Sequence, residues 1–153
     1  MRNVIAVFVL VILLNPIQIY AQNDFVEVYD IEKDKIVKTI PASPSVLSEA
    51  EMYLEHIDDI YKKFRPMPRK GQLIRVPFDS SVQITNNWMN SSVNEVIFII
   101  PKNDYPLLLV FNEEKDPYFF TFTLSMDHLL DKISDKNEQV ETIGPFLPLQ
   151  PAL

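Results

Sequence analysis

Ser43-Pro-Ser-Val-Leu-Ser-Glu-Ala-Glu-Met-Tyr-Leu-Glu-His-Ile-Asp-Asp-Ile-Tyr-Lys-Lys-Phe64 is the stretch on which the fold turns. Its apolar positions, Val46/Leu47, Ala50, Tyr53/Leu54, Ile57, Ile60/Tyr61 and Phe64, recur at three and four residues, the spacing of one helical face. Ser43 before Pro44 supplies a cap and a proline at the first helical position, and Ser48-Glu-Ala-Glu51 offers a second start as a capping box. Glu49, Glu51 and Glu55 lie toward the start and Lys62 and Lys63 at the end, matching the macrodipole, and Asp58/Lys62 and Asp59/Lys63 stand four apart. The pattern predicts one long helix ending near Phe64, with an apolar face that must pack on a sheet.

The flanking segments supply that sheet. Phe25–Tyr29 and Lys35–Ile40 are β-branched and aromatic runs on either side of the charged stretch Ile31 to Asp34, which reads as a hairpin. After the loop Arg65–Gly71, Gln72–Phe78 reads as a strand whose Pro77 lacks a ladder donor and points to an edge or a strand end. A short Val82–Ile84 segment follows. Glu95–Ile100 and Leu107–Phe111 are nearly unbroken apolar runs, as in strands covered on both faces. Tyr118–Leu124 alternates, with Tyr118, Phe120, Phe122 and Leu124 on one face. Ser125 caps a second helix carrying Met126, Leu129, Leu130 and Ile133 and ending near Ser134. The expected class is α+β: an antiparallel sheet of five to seven strands covered by one long helix, with a short second helix near the C-terminus.

Upstream of the hairpin, Met1-Arg2-Asn3, the apolar run Val4 to Leu14, Asn15-Pro16 and Ile19-Tyr20-Ala21 read in order as a signal peptide cleaved before Gln22. Eleven apolar residues fall short of the roughly 20 that span a bilayer. The expected organisation is therefore a signal peptide over 1–21, a single α+β domain over 22–134, and a polar then proline-rich tail over 135–153 with Pro145, Pro148 and Pro151 three apart. The expected location is exported, secreted or associated with the cell envelope, with no integral membrane span after cleavage. Removal of 1–21 takes away one positive charge and moves the formal balance from −7 to −8.

Composition narrows the function further. An acidic chain is a poor ligand for nucleic acid, where cations must displace condensed counterions. The two glycines, Gly71 and Gly144, exclude glycine-rich phosphate loops and the nucleophile elbow, and the absence of cysteine excludes a lipid-modified cysteine and any disulfide framework.

Five cations in nine residues, Lys62, Lys63, Arg65, Arg69 and Lys70, stand on this acidic chain as a candidate surface for an anionic envelope polymer or a membrane surface. Trp88, the only tryptophan, sits among Asn86, Asn87, Asn90, Ser91 and Ser92, a pairing of flat apolar platform and polar groups suited to glycan stacking. Asn90-Ser-Ser92 also matches a glycosylation sequon. His56 and His128 have carboxylate neighbours, but their spacing makes no metal shell. Ser125 near His128 is explained by capping, and Glu113-Glu114 by solubility in a turn, so no catalytic residue and no cofactor is assigned.

The succession Val28-Tyr-Asp30, Val37-Lys-Thr-Ile-Pro41, Lys70-Gly71, Ile74-Arg-Val-Pro77, Glu95-Val-Ile97, Pro106-Leu107, Val110-Phe111 and Pro117-Tyr-Phe119 resembles small exported proteins of uncharacterised function from Bacillus-type Gram-positive bacteria. The resemblance implies a shared fold and carries no catalytic residue across. The leading expectation is an exported binding or structural module of the cell envelope without catalysis, contacting an envelope polymer, a membrane surface or a protein partner. The alternatives are a small envelope hydrolase whose site assembles only in the fold, and an acidic inhibitor or immunity protein of an exported enzyme.

Overall fold

The computed structural model describes residues 25–63 and 65–134; the expected signal peptide and the proline-rich tail lie outside the described residues. Seven strands, β1 (Phe25–Asp30), β2 (Lys35–Pro41), β3 (Ile57–Ile60), β4 (Gly71–Thr85), β5 (Asn90–Pro101), β6 (Leu107–Phe111) and β7 (Pro117–Phe122), form one sheet. Two helices, α1 (Pro44–Glu55) and α2 (Asp127–Ser134), complete the architecture. The strand order is β2-β1-β4-β5-β6-β7-β3, with every neighbouring pair antiparallel. Among the described residues no helix is long and apolar enough to cross a membrane.

The two-residue period of the strands sorts the side chains onto two faces. On the helix face, Val26 and Val28 of β1, Ile74 and Val76 of β4, Val96 and Phe98 of β5, Leu108 and Val110 of β6 and Phe120 of β7 join Val46, Leu47, Ala50, Tyr53 and Leu54 of α1 and Leu129 and Ile133 of α2 in one core. Full burial of each large apolar side chain contributes about 1.5–3 kcal/mol before chain entropy is subtracted. Tyr53 sits at the centre, its ring edge-on to Phe98 and Phe122 at centroid distances of 5.0 and 5.2 Å, and its hydroxyl donates to the Ser125 carbonyl at 2.6 Å. The polar tip of a buried tyrosine thereby pins the segment leading into α2.

The long helical cover does not exist. α1 spans 12 residues and stops at Glu55, where the His56 N–H donates to the carbonyls of Met52 and Tyr53, both at 3.2 Å. Residues 57–60, expected to continue the helix, form the edge strand β3 against β7. The reason lies in an irregularity between Ile57 and Asp59, which turns Ile57 and Ile60 toward the same core although they are three apart. A bulged strand here imitates helical spacing. The ion pair that forms is Asp59 with Lys62, at 2.8 Å, rather than Asp58/Lys62 or Asp59/Lys63. Ser43 occupies the cap position with extended φ and ψ and Pro44 follows it, but the Ser43 side chain makes no cap hydrogen bond.

β4 is also longer and more central than expected. It runs through Pro77, and the ladder to β5 breaks between Pro77 and Val82, so that residues 78–81 bulge where β5 has only Asn94. Pro77 has no N–H to lose from the ladder at that break. Likewise Asn90, Ser91 and Ser92 belong to β5 and pair with Thr85, Ile84 and Gln83.

Candidate binding face

The second face of the sheet carries no helix among the described residues. Leu73, Ile97, Ile99, Leu107, Leu109, Phe111 and Phe119 line it; Ile99, Leu107 and Leu109 are buried there, and Tyr61, half-buried, packs against them. The segment 61–70 contributes Tyr61 to that burial. It starts beside β7, where the Tyr61 N–H donates to the Phe119 carbonyl at 2.7 Å, and it ends beside β5, where the Lys70 carbonyl accepts from the Lys102 N–H at 3.1 Å. Its two ends thus stand on either side of β6, and this segment, the strap, packs Tyr61 on the second face.

Beyond the strap the face becomes polar. Arg75, in register with Glu27 on β1 and Ile97 on β5, lies 2.6 Å from Glu95 and 3.4 Å from Glu27 through its Nε and Nη1 atoms. One guanidinium thus holds two carboxylates that would otherwise repel. Further along, Thr85 and Gln83 donate to Asn90 Oδ1 at 3.1 and 3.0 Å, and Ser92 donates to Gln83 at 2.9 Å, a ladder of side chains across the β4–β5 pair.

Between these polar groups and the β6–β7 turn opens a cleft of about 730 Å³. Phe111 contributes an apolar wall; Ser81 from the bulge, Asn94, Glu95, Glu113 and Lys115 contribute the polar rim. The turn is closed by its own hydrogen bonds: Asn112 Oδ1 accepts from the Asp116 N–H at 2.8 Å, the Asn112 carbonyl accepts from the Lys115 N–H at 3.0 Å, and Lys115 takes the left-handed conformation at φ 70°. The turn is also tied to β5, because the Glu113 N–H donates to Ser91 Oγ at 3.1 Å. Asn112 and Ser92 are therefore engaged in the fold, and Glu95 is held by Arg75, while Asn94 and Glu113 present exposed side chains.

Trp88 lies around the corner of the same turn. It is half-buried, tilted against Phe120 at a centroid distance of 6.1 Å, and it lines a smaller cleft of about 250 Å³ with Asn90, Ser91, Glu114 and Tyr118. The two clefts share Asn112 and Glu113. The tight turn that holds Trp88 is set by Asn86, whose Oδ1 accepts from the N–H groups of Trp88 and Met89, both at 2.9 Å.

The five cations singled out in the sequence sit on or beside the strap and not near Trp88. Lys62 pairs with Asp59 and Lys70 with Glu32 at 3.6 Å, while Lys63, Arg65 and Arg69 enter no ion pair among the described residues. The Lys62 ammonium, with the Ile60 N–H, holds the Asp59 carboxyl below its ordinary range. His56 is exposed, with Nδ1 2.8 Å from the Met52 carbonyl, and His128 is exposed on α2; neither lines a described cleft. The sequence reading singles out neither Phe111 nor Asn94 and assigns Glu113 to solubility in a turn. Counting alternate residues along Leu107–Phe111 would have placed Phe111 on the second face, but only the bulge at 78–81 and the β6–β7 turn bring Asn94 and Glu113 beside it. The chain matches no protein-family model, no curated protein and no solved structure.

Proposed function

We propose that the chain is an exported module of the cell envelope that binds without catalysis and holds a hydroxyl-rich polymer, a glycan chain, against the sheet face opposite its helices. The observation that carries this reading is the open cleft beside Phe111, where an apolar ring wall meets the exposed side chains of Asn94 and Glu113. Sugars offer an apolar ring face and a belt of hydroxyls, and such a wall and rim match both. Binding rather than bond cleavage is favoured by the commitment of Glu95 to Arg75 at 2.6 Å, which holds one of the cleft's carboxylates in an ion pair.

The test is retention of the protein on isolated envelope at low salt. Asn94→Ala and Glu113→Gln are each expected to weaken retention roughly fivefold, as loss of one hydrogen bond of about 1 kcal/mol implies. Retention that is unchanged in the double variant, or release of new sugar reducing ends during the incubation, contradicts the reading.

A further inference from the structure

A second surface lies at the other end of the sheet. The strap and the β5–β6 turn, residues 102–106, meet there: the Lys102 N–H donates to the Lys70 carbonyl, and Lys62, Lys63 and Tyr105 line one groove of about 750 Å³. Two of the most exposed large apolar side chains belong to these two segments, Tyr105 at 85% exposure and Met67 at 47%. Lys63 lines the groove with Tyr105, Arg65 and Arg69 stand two residues to either side of Met67 in the chain, and Lys102 stands three before Tyr105, all four exposed. Of the acids nearby, Asp59 and Glu32 are taken by Lys62 and Lys70, and Asp104 and Asp58 line the groove.

We propose that this end of the molecule docks on an anionic lipid bilayer, the cations meeting the headgroups while Tyr105 and Met67 enter the interface. Clustered cations alone would suit any polyanion. The exposed ring and thioether distinguish the bilayer, because a tyrosine has its favoured depth at a membrane surface, apolar body inward and hydroxyl at the headgroups, whereas a soluble phosphate polymer offers it nothing. The proposal rests on the envelope reading for where a bilayer is met, and uses none of the cleft residues.

The experiment is co-sedimentation of the full chain with vesicles of phosphatidylcholine alone and with added phosphatidylglycerol, alongside binding to soluble polyphosphate. The apolar run Val4–Leu14 is common to every variant, so the readout for the cations is the ratio of anionic to neutral binding. That ratio is expected to exceed ten at low salt, to fall about fivefold for each of Arg65→Gln and Arg69→Gln, and to collapse in high salt. Tyr105→Ser with Met67→Ser, both at exposed positions, is expected to lower anionic-vesicle binding severalfold while leaving polyphosphate binding unchanged. A ratio near one overturns the proposal, as does unchanged anionic-vesicle binding in the Tyr105/Met67 variant, which would assign the cations to a polyanion. Asn94→Ala separates the two readings: it is expected to keep vesicle binding, so loss of docking with envelope glycan retention intact removes this proposal alone.

Discussion

Gly71 opens β4 with φ +131°, and a Cβ built there would stand 2.1 Å from the Ile100 carbonyl oxygen. The backbone of β5 cannot move aside without breaking the ladder, so Gly71→Ala is expected to destabilise by about 3 kcal/mol or more, read as a shift in urea midpoint. Glu49 is the buried charged residue of α1, 7% exposed, and Lys132 of α2 reaches it at 2.9 Å. Lys132→Met strands a carboxylate in the interior and should cost about 1–3 kcal/mol, whereas Glu49→Leu combined with Lys132→Met should cost less than Lys132→Met alone. Tyr53 supplies the pH dependence. Burial, reinforced by the Glu49 charge, pushes its hydroxyl up to about 12 from the ordinary 10.0. The unfolded chain therefore loses this proton first, and the stability that Tyr53 contributes, complete below pH 10, drains away as the pH rises toward 12, by at most about 1.4 kcal/mol per pH unit. Tyr53→Phe should flatten the fall in unfolding midpoint over that window; an equally steep fall would show that another group governs it.

At the scale of elements, the decisive one is β3. Strand and helix compete for residues 57–60 because both explain two apolar residues three apart, and the sequence around them argues for helix through acid–lysine spacing. What decides is the partner: β7 offers an unpaired edge, and Tyr61 and Thr123 close the pairing with hydrogen bonds to Phe119 and His56 of 2.7 and 3.2 Å. No local pattern announces that edge, which is why the helix was legible only as far as Glu55. The hairpin Phe25–Pro41 and the runs at Leu107 and Tyr118 were legible, since alternation and β-branching act locally. The candidate cleft was not, because it is assembled from a bulge, a strand and a turn distant in sequence. Nuclear Overhauser contacts between backbone protons of residues 57–60 and 119–122 are expected, together with extended-type carbon shifts at Ile57 and Ile60. Helical shifts continuing to Tyr61 would contradict the strand.

The whole molecule is a sheet with two unlike faces. One is closed by α1 and α2 over a continuous core. The other carries Tyr61 of the cationic strap toward one end and, at the other, the cleft that Phe111, Asn94 and Glu113 line. On this account, polymer is held at one end of the open face and the bilayer is met at the other, which would set an acidic domain between lipid and glycan. If the open face is the binding surface, titrating soluble fragments of envelope glycan into isotope-labelled protein should shift amide resonances chiefly at Ser81, Ser92, Asn94, Phe111 and Glu113, with α1 and α2 undisturbed. Resonances that do not move at millimolar fragment, or that move only on the helix face, would contradict it.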